Sequence, residues 1–376
     1  MKFLKCCAWA AVAVALLCAC GGRGGDRTVD VAAATPADFE AVASFCELLP
    51  VDEREAPLPA VTEVKRYGDK VFIKSGRFPD VPRIYMLEGG RLAGVLDAYG
   101  RGPGEYQDAE GFAFCEQTSE LIINDRVFKG FRRYRVPEMK WVSDEPLGRY
   151  LSQFESLDAI RSVFAFESEE GEPGSVVVWD HARGEAASTL ETSYLEAILL
   201  SDLHLGRTSN GRIAFGLIGH DTRFRTASAG GFKPAGAVTF VPDAFGPAVW
   251  EQTSFEKAFE TFSNVIGEGK DVGIGADFPL LSGDRIAFWY MAGYSVEPPW
   301  RLAVSAPEGG KAYSEVRVEG YPEPLQIVGS GEAQWCSVLL LDLLEDVPSP
   351  QGKLYPRLRE LKDQGCETVL LFWSAV

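Results

Sequence analysis

From about Asp38 to its last residues, the chain is a succession of short apolar runs, each closed by turn-forming residues. Examples are Val71-Phe72-Ile73, Arg83-Ile84-Tyr85-Met86-Leu87, Leu121-Ile122-Ile123, Ser162-Val163-Phe164-Ala165-Phe166 and Val176-Val177-Val178-Trp179. They are rich in β-branched and aromatic side chains, which fit a pleated sheet surface. Runs this short between Gly, Asn, Asp and Pro are strands rather than helices. Apolar residues make up 46% of the chain, enough to give those strands a full core. The pattern restricts the fold to the all-β class.

A degenerate unit recurs within it. Gly68-Asp69-Lys70-Val71-Phe72-Ile73, Asn210-Gly211-Arg212-Ile213-Ala214-Phe215 and Gly283-Asp284-Arg285-Ile286-Ala287-Phe288 share one order: a tight polar turn, a basic residue, then an apolar run. Asn-Gly and Gly-Asp accept positive φ at low cost and so make two-residue hairpins. Hairpins repeated in this way predict a β-propeller with about four strands to a blade. A propeller closes its ring by pairing strands from opposite chain ends. Glu367-Thr368-Val369-Leu370-Leu371-Phe372-Trp373 or Phe45-Cys46-Glu47-Leu48-Leu49 is placed to act as the clasp.

Two stretches depart from the β pattern. Residues 254–267 (SFEKAFETFSNVIG) space Phe255, Ala258, Phe259, Phe262 and Ile266 along one helix face, with Ser254 as N-cap. Residues 352–365 (GKLYPRLRELKDQG) predict a second short helix, with Pro356 in its first turn and Gly365 as its stop.

The N-terminus carries a different signal. Lys2 and Lys5 precede an uncharged apolar run over residues 6–17, which suits a signal-peptide core and is short for a membrane-spanning helix. The run ends in Leu17-Cys18-Ala19-Cys20 and then Gly21-Gly22-Arg23-Gly24-Gly25. This resembles a bacterial lipobox. The resemblance implies diacylglyceryl transfer to the Cys20 sulfur, cleavage before Cys20 and acylation of the new amine. Acyl chains bury at about 0.8 kcal/mol per CH₂, and two or more hold a protein stably on a membrane. The expected organisation is a signal peptide over 1–19, a flexible Gly/Ala-rich tether over 20–37 and a propeller over 38–376. The expected location is the cell envelope, on either face of the outer membrane.

The formal charge is −17, and removing Lys2 and Lys5 leaves 35 basic against 54 acidic residues, or −19. Such a surface argues against nucleic acid as a partner. Of eight cysteines, Cys46, Cys115, Cys336 and Cys366 remain beyond the lipobox. They have no close-paired spacing of the kind that binds zinc. Either two disulfides or four free thiols fit, and the apolar neighbours of Cys46, Cys115 and Cys336 favour buried thiols. His181, His204 and His220 are scattered, so neither a metal nor another cofactor is expected.

The most distinctive local motif is Tyr99-Gly100-Arg101-Gly102-Pro103-Gly104-Glu105-Tyr106. Its glycines and proline force an irregular backbone. No Gly-Lys-Ser/Thr follows it, as a P-loop requires, and no helix opens after it, as a dinucleotide site requires. The residues fit a turn between blades, with Arg101 and Glu105 available to satisfy exposed backbone groups. Residues 67–134, with this motif, resemble the first full blade of the six-bladed β-propeller lipoproteins of Bacteroides-like bacteria. The terminal strand and the acylated Cys20 fit that family too. The resemblance implies six blades, so the expected fold is a six-bladed β-propeller of four-stranded blades with short helical insertions; the helical segment over Phe255–Ile266 departs from the family's pattern. The resemblance is weak from about Ser143 to Gly283, and it carries no reaction.

No Gly-x-Ser-x-Gly elbow or His-Glu-x-x-His motif is present, and three histidines are few for acid–base chemistry. The expected function is a lipid-anchored binding or scaffolding module for an envelope protein or glycan. Phe288-Trp289-Tyr290-Met291-Ala292-Gly293-Tyr294 with Trp300 offers sugar-stacking faces, although alternate residues of a strand pair would point into a core. The alternative is a lactonase-like hydrolase with a divalent metal in the channel, for which Asp125, Asp180 and Asp284 are the candidate ligands.

Overall fold

The computed structural model of the chain describes residues 27–52, 58, 60–76, 81–169, 174–198, 203–218, 222–241, 252, 254–267, 273–292, 300–318, 321, 327–331, 333–346 and 352–375. Strands β1 (Thr28–Asp30), β2 (Thr35–Asp38) and β3 (Ala43–Val51) come first. An antiparallel meander follows: β4 (Val61–Tyr67), β5 (Lys70–Ser75), β6 (Arg83–Glu88) and β7 (Arg91–Leu96). The next sheet is β8 (Ala109–Cys115), β9 (Glu120–Asp125), β10 (Gly130–Arg135) and β11 (Lys140–Pro146). Then come β12 (Leu151–Ser156), β13 (Arg161–Phe166), β14 (Ser175–Asp180) and β15 (Glu185–Glu191). Strands β16 (Gly206–Arg207), β17 (Ile213–Leu217), β18 (Thr222–Ser228) and β19 (Gly231–Val241) meander likewise, and β1 adds to β19 in parallel. In β20 (Gly273–Ser282), β21 (Arg285–Ala292), β22 (Trp300–Ala306) and β23 (Gly309–Arg317), β2 is the added parallel strand. The last strands are β24 (Ile327–Gly331), β25 (Gln334–Leu340) and β26 (Thr368–Ala375).

Continuous apolar runs form strands here because each strand is buried on both faces, and alternate residues enter different cores. In β5, Val71 and Ile73 pack against β24–β26, while Phe72 packs against β8–β10. Likewise Leu121 and Ile123 face one neighbouring sheet and Ile122 the other. The same division holds for Val176 and Val178 against Val177, and for Phe288 and Tyr290 against Trp289. Each sheet thus shares one core with the sheet before it and another with the sheet after it. The sheet containing β24–β26 shares its second core with β4–β7, which closes a ring.

Both proposed clasps take part in that closure. β26 pairs antiparallel with β25 on one side and with β3 on the other, from Thr368↔Val51 to Ala375↔Ala43. At the inner edge β24 meets β4 in parallel, with Gly329 opposite Val64. A Cβ on Gly329 would lie 1.7 Å from the Val64 carbonyl oxygen, so the approach requires glycine. Phe39, Trp335 and Trp373 are fully buried on the opposite face of the closing strands, in the core shared with β20–β23, with the Phe39 and Trp373 ring centroids 4.7 Å apart.

The helices are α1 (Tyr194–Ile198), α2 (Phe255–Gly267) and α3 (Tyr355–Asp363). The last two agree with the two helical patterns, and Gly365 adopts φ +83° after α3 as a stop signal should.

Several expectations are corrected. The tether expected over 20–37 is corrected for its described part, residues 27–37, because β1 and β2 pair with the edges of β19 and β23. The stretch over 67–134 is not one blade. Its inner strand β4 begins at Val61, and the motif joins two sheets. A turn-based reading starts at the hairpin and misses the polar-faced strand ahead of it. The weakly patterned middle, 143–283, holds the same four-strand meanders as the rest. Cys46 is exposed rather than buried, because the β3–β26 register shifts beside it at Phe372/Trp373 and carries its side chain out of the core. Cys115 and Cys336 are buried, and all four cysteines are free thiols.

Candidate functional site

The Gly-rich motif connects β7 to β8 and is held by its own residues. Gly100 N–H donates to the Tyr106 carbonyl at 2.9 Å, and Tyr106 N–H donates to Ala98 O at 2.8 Å. These bonds clamp Tyr99 on both sides. The Glu105 carboxylate folds back to accept the Gly102 N–H at 2.6 Å, over the space a Cβ on Gly100 would need. Gly104 has φ +75°, and a Cβ there would meet the Trp141 ring at 2.6 Å. Glu105 therefore satisfies backbone as expected, while Arg101 is exposed. The Tyr106 hydroxyl, whose pKa burial pushes up, donates to Pro82 O at 2.5 Å, and the Tyr134 hydroxyl donates to Gly104 O at 3.0 Å.

Pro82 and Tyr99, both fixed by this loop, line a cleft of about 510 Å³ between the β4–β7 and β8–β11 sheets. Thr62, Lys74, Gln107, Asp108, Glu110 and Val127 complete most of its wall. Lys74 Nζ donates to the carbonyls of Ala109 at 3.2 Å and Glu110 at 2.7 Å. Burial raises the pKa of the Glu110 carboxyl, against the opposing pull of Arg126 and Lys74.

Beneath the cleft runs a line of alternating charges on the inner strands. Lys74 Nζ lies 3.4 Å from Glu63, whose other oxygen is 3.4 Å from Lys65 Nζ. Lys65 Nζ is 2.8 Å from Glu155, which also pairs with Arg207 at 3.5 Å and accepts the Tyr67 hydroxyl at 3.1 Å. Lys65 donates further to Phe112 O and Phe154 O. Burial alone would lower its pKa, but Glu155 and Glu63 outweigh that and hold it above the usual lysine value. The side chains of Glu63, Lys65 and Glu155 are each 5% exposed, so the centre of the ladder is closed to solvent, with each carboxylate between two cations.

A second network joins β11 to β13 and β14. Ser162 Oγ is 2.8 Å from His181 Nε2, and His181 Nδ1 is 2.8 Å from Glu145. The order nucleophile, base, carboxylate matches acyl-transfer geometry. However, Ser162 is 1% exposed and lies at the interior end, where no substrate reaches it. The relay is a strap between two sheets. Burial would raise the Glu145 pKa, but His181, Trp179 and Arg133 outweigh it and lower it.

The three aspartates proposed as channel ligands do not converge. Asp125 ends β9, where it pairs with Arg132 at 2.9 Å and accepts backbone N–H groups from Gln107 and Asp108. Asp180 ends β14 and accepts from Ala182 and Arg183 N–H, while Asp284 is exposed in the β20–β21 turn. Among the described residues no three His, Cys, Asp or Glu side chains are grouped to hold a metal. His204 pairs with Asp277 at 2.6 Å, and His220 lies outside the described residues, as do Leu17, Cys18, Ala19 and Cys20. Phe288, Trp289 and Tyr290 are core residues and not sugar platforms, whereas Trp300 is 40% exposed. Gly293 and Tyr294 lie outside the described residues. The sequence reading did not single out Glu63, Lys65, Glu155, Arg207 or the cleft residues Lys74, Asp108 and Glu110.

The molecule thus belongs structurally to the all-β proteins built from radially packed, curled sheets. A presumed exported protein of Bacteroides fragilis shares the fold, with a TM-score of 0.67 at 12% identity over 94% of this chain and all 100% of that one. A DUF4221-family protein of Bacteroides vulgatus aligns over 88% of this chain and 97% of its own, with TM-score 0.44 and 11% identity. The Cps50 (Swd1) β-propeller domain of Myceliophteria thermophila aligns over 89% and 100%, with TM-score 0.40 and 12% identity. No sequence-family model matches the chain, and no curated protein matches it. Among the described residues, no helix is long and apolar enough to cross a membrane.

Proposed function

We propose that this chain is a six-bladed β-propeller lipoprotein of the cell envelope, anchored through Cys20, whose role is to bind rather than to catalyse. The blades are the meanders β4–β7, β8–β11, β12–β15, β16–β19, β20–β23 and β24–β26 with β3. One observation carries the binding reading. The inner strands are plugged by the Lys74–Glu63–Lys65–Glu155–Arg207 ladder, while the Gly-rich loop builds an accessible cleft beside it. Each ladder carboxylate already faces a cation, which leaves none free to ligate a metal in the channel. The lipobox residues Leu17, Cys18 and Ala19 support the anchor, and the exported structural relative fits the same location.

The test is crosslinking of the full-length protein in its native envelope, followed by capture and mass spectrometry against a Cys20→Ala control. A stoichiometric envelope component recovered with the wild type and lost with the control is the expected result. Unaltered membrane partitioning of the Cys20→Ala chain would refute the anchor, and hydrolase activity in the purified protein would refute the binding role.

A further inference from the structure

We propose that the cleft between the β4–β7 and β8–β11 sheets is a binding site for a neutral oligosaccharide. This deepens the binding reading and rests on it.

The argument begins with charge. Lys74 lines the cleft and Arg126 stands behind Glu110 at 4.0 Å, facing the acids Asp108 and Glu110. The two cations are already committed. Lys74 Nζ is taken by two backbone carbonyls and Glu63, and Arg126 forks onto Glu167 with bonds of 2.7 and 3.0 Å. An anionic ligand would meet two carboxylates and no available donor charge. A cationic ligand would have to sit beside Lys74 and Arg126. Lys74 and Arg126 each have a carboxylate of their own in Glu63 and Glu167, so Asp108 and Glu110 are left as acceptors that repel an anion and can take the hydroxyl groups of a neutral ligand as donors.

The remaining wall fits a sugar. Tyr99 is 51% exposed, and its backbone is clamped by the motif on both sides, so the cleft has an aromatic side chain that costs little to order. Gln107, Asp108, Glu110 and Thr62 supply donors and acceptors around it, and Val81, Pro82 and Val127 add apolar surface. A pyranose ring presents the complementary set: an apolar face for the aromatic ring and hydroxyl groups on its rim. The volume of about 510 Å³ falls in the range of small-molecule sites. The motif then acquires a reason beyond joining two sheets, since Tyr106 fixes Pro82 and the Gly100 and Tyr106 bonds fix Tyr99.

The experiment is saturation-transfer NMR on the full-length chain in mild detergent, with maltotriose, cellotriose, xylotriose, mannotriose and chitotriose at millimolar concentration. Tri-lysine and trigalacturonate serve as charged probes. At least one neutral trisaccharide should bind. Tyr99→Ala and Asp108→Ala should each weaken it at least tenfold, and Phe259→Ala, which changes an exposed aromatic on α2, should leave it unchanged. Circular dichroism of each variant confirms that it folds. The proposal is overturned if no neutral trisaccharide binds, if Tyr99→Ala binds as wild type does, or if only tri-lysine or trigalacturonate gives a signal. An envelope partner captured in the crosslinking experiment despite a silent sugar panel would sink this inference and leave the binding reading intact.

Discussion

Lys65 Nζ lies 2.8 Å from Glu155 although the two residues belong to β4 and β12, with the β8–β11 sheet between them in the chain. The contact ties three sheets together, because the same ammonium also donates to carbonyls of Phe112 and Phe154. Removing the cation strips Glu155 of its 2.8 Å partner and leaves it buried with only Arg207 at 3.5 Å, and Glu63 with only Lys74 at 3.4 Å. Lys65→Met should therefore cost about 3–5 kcal/mol in urea unfolding. The combination Lys65→Met with Glu155→Gln removes the cation together with its closest carboxylate and keeps the Lys74–Glu63 pair, so it should recover part of that loss. If the double variant is no more stable than Lys65→Met, the charge argument is wrong.

The same pair predicts an alkaline transition. The folded pKa of Lys65 lies above its unfolded value, so its contribution is complete below the unfolded pKa, about 10.4. It is lost as pH rises through the folded value. Thermal melts above about pH 10.4 should fall more steeply for the wild type than for Lys65→Met.

Glu145 predicts the acid side. Its pKa is lowered in the folded state, chiefly by His181 against the effect of burial. The stability it adds is present above the unfolded carboxylate value of about 4.3 and fades as pH falls through the lower folded value. Melts between about pH 5 and pH 2 should lose this component in Glu145→Gln, which would otherwise fold normally. Equal acid sensitivity of both proteins would count against the strap.

Glu110 is the opposite case, since burial raises its pKa and its charged form opposes folding at neutral pH. Glu110→Gln should raise the melting temperature at pH 7, by no more than about 2 °C because the group is partly exposed. The gain should vanish at low pH, where the wild-type carboxyl is protonated. A loss of stability at pH 7 would show that its hydrogen bonding matters more than its desolvation.

Gly104 tests the motif. A substituted Ala would adopt φ +75° and collide with the Trp141 ring, so Gly104→Ala should destabilise by about 1–3 kcal/mol. Gly148, with the same φ and open space around it, is the control and should lose about 1 kcal/mol. Calorimetry on both variants separates strain from collision.

What was legible in the sequence follows from what is local. Val176-Val177-Val178 reads as a strand because propensity and length act within a few residues, and each helix carries a local signal, Ser254 as the cap of α2 and Gly365 as the stop of α3. The closing strand was legible as well, since its apolar run follows a helix stop. The ladder was not. Glu63, Lys65 and Tyr67 occupy alternate positions of β4, a pattern that in an ordinary sheet marks the solvent face. Only ring closure turns that face inward and brings Glu155 and Arg207 to it. Asp125 and Asp180 misled for the complementary reason. An aspartate at a strand end suits a ligand and a turn equally, and the backbone N–H groups beside each claim its oxygens.

The pairing of β1 with β19, β2 with β23 and β3 with β26 also bears on how the molecule comes to be made. β2 and β3 wait for partners near the end of the chain, and the β3–β26 contacts have about the largest sequence separation the chain allows. High contact order slows folding. A nascent chain cannot lock its ring before β26 has emerged from the ribosome. Strands β2 and β3 are left without partners until synthesis is almost complete.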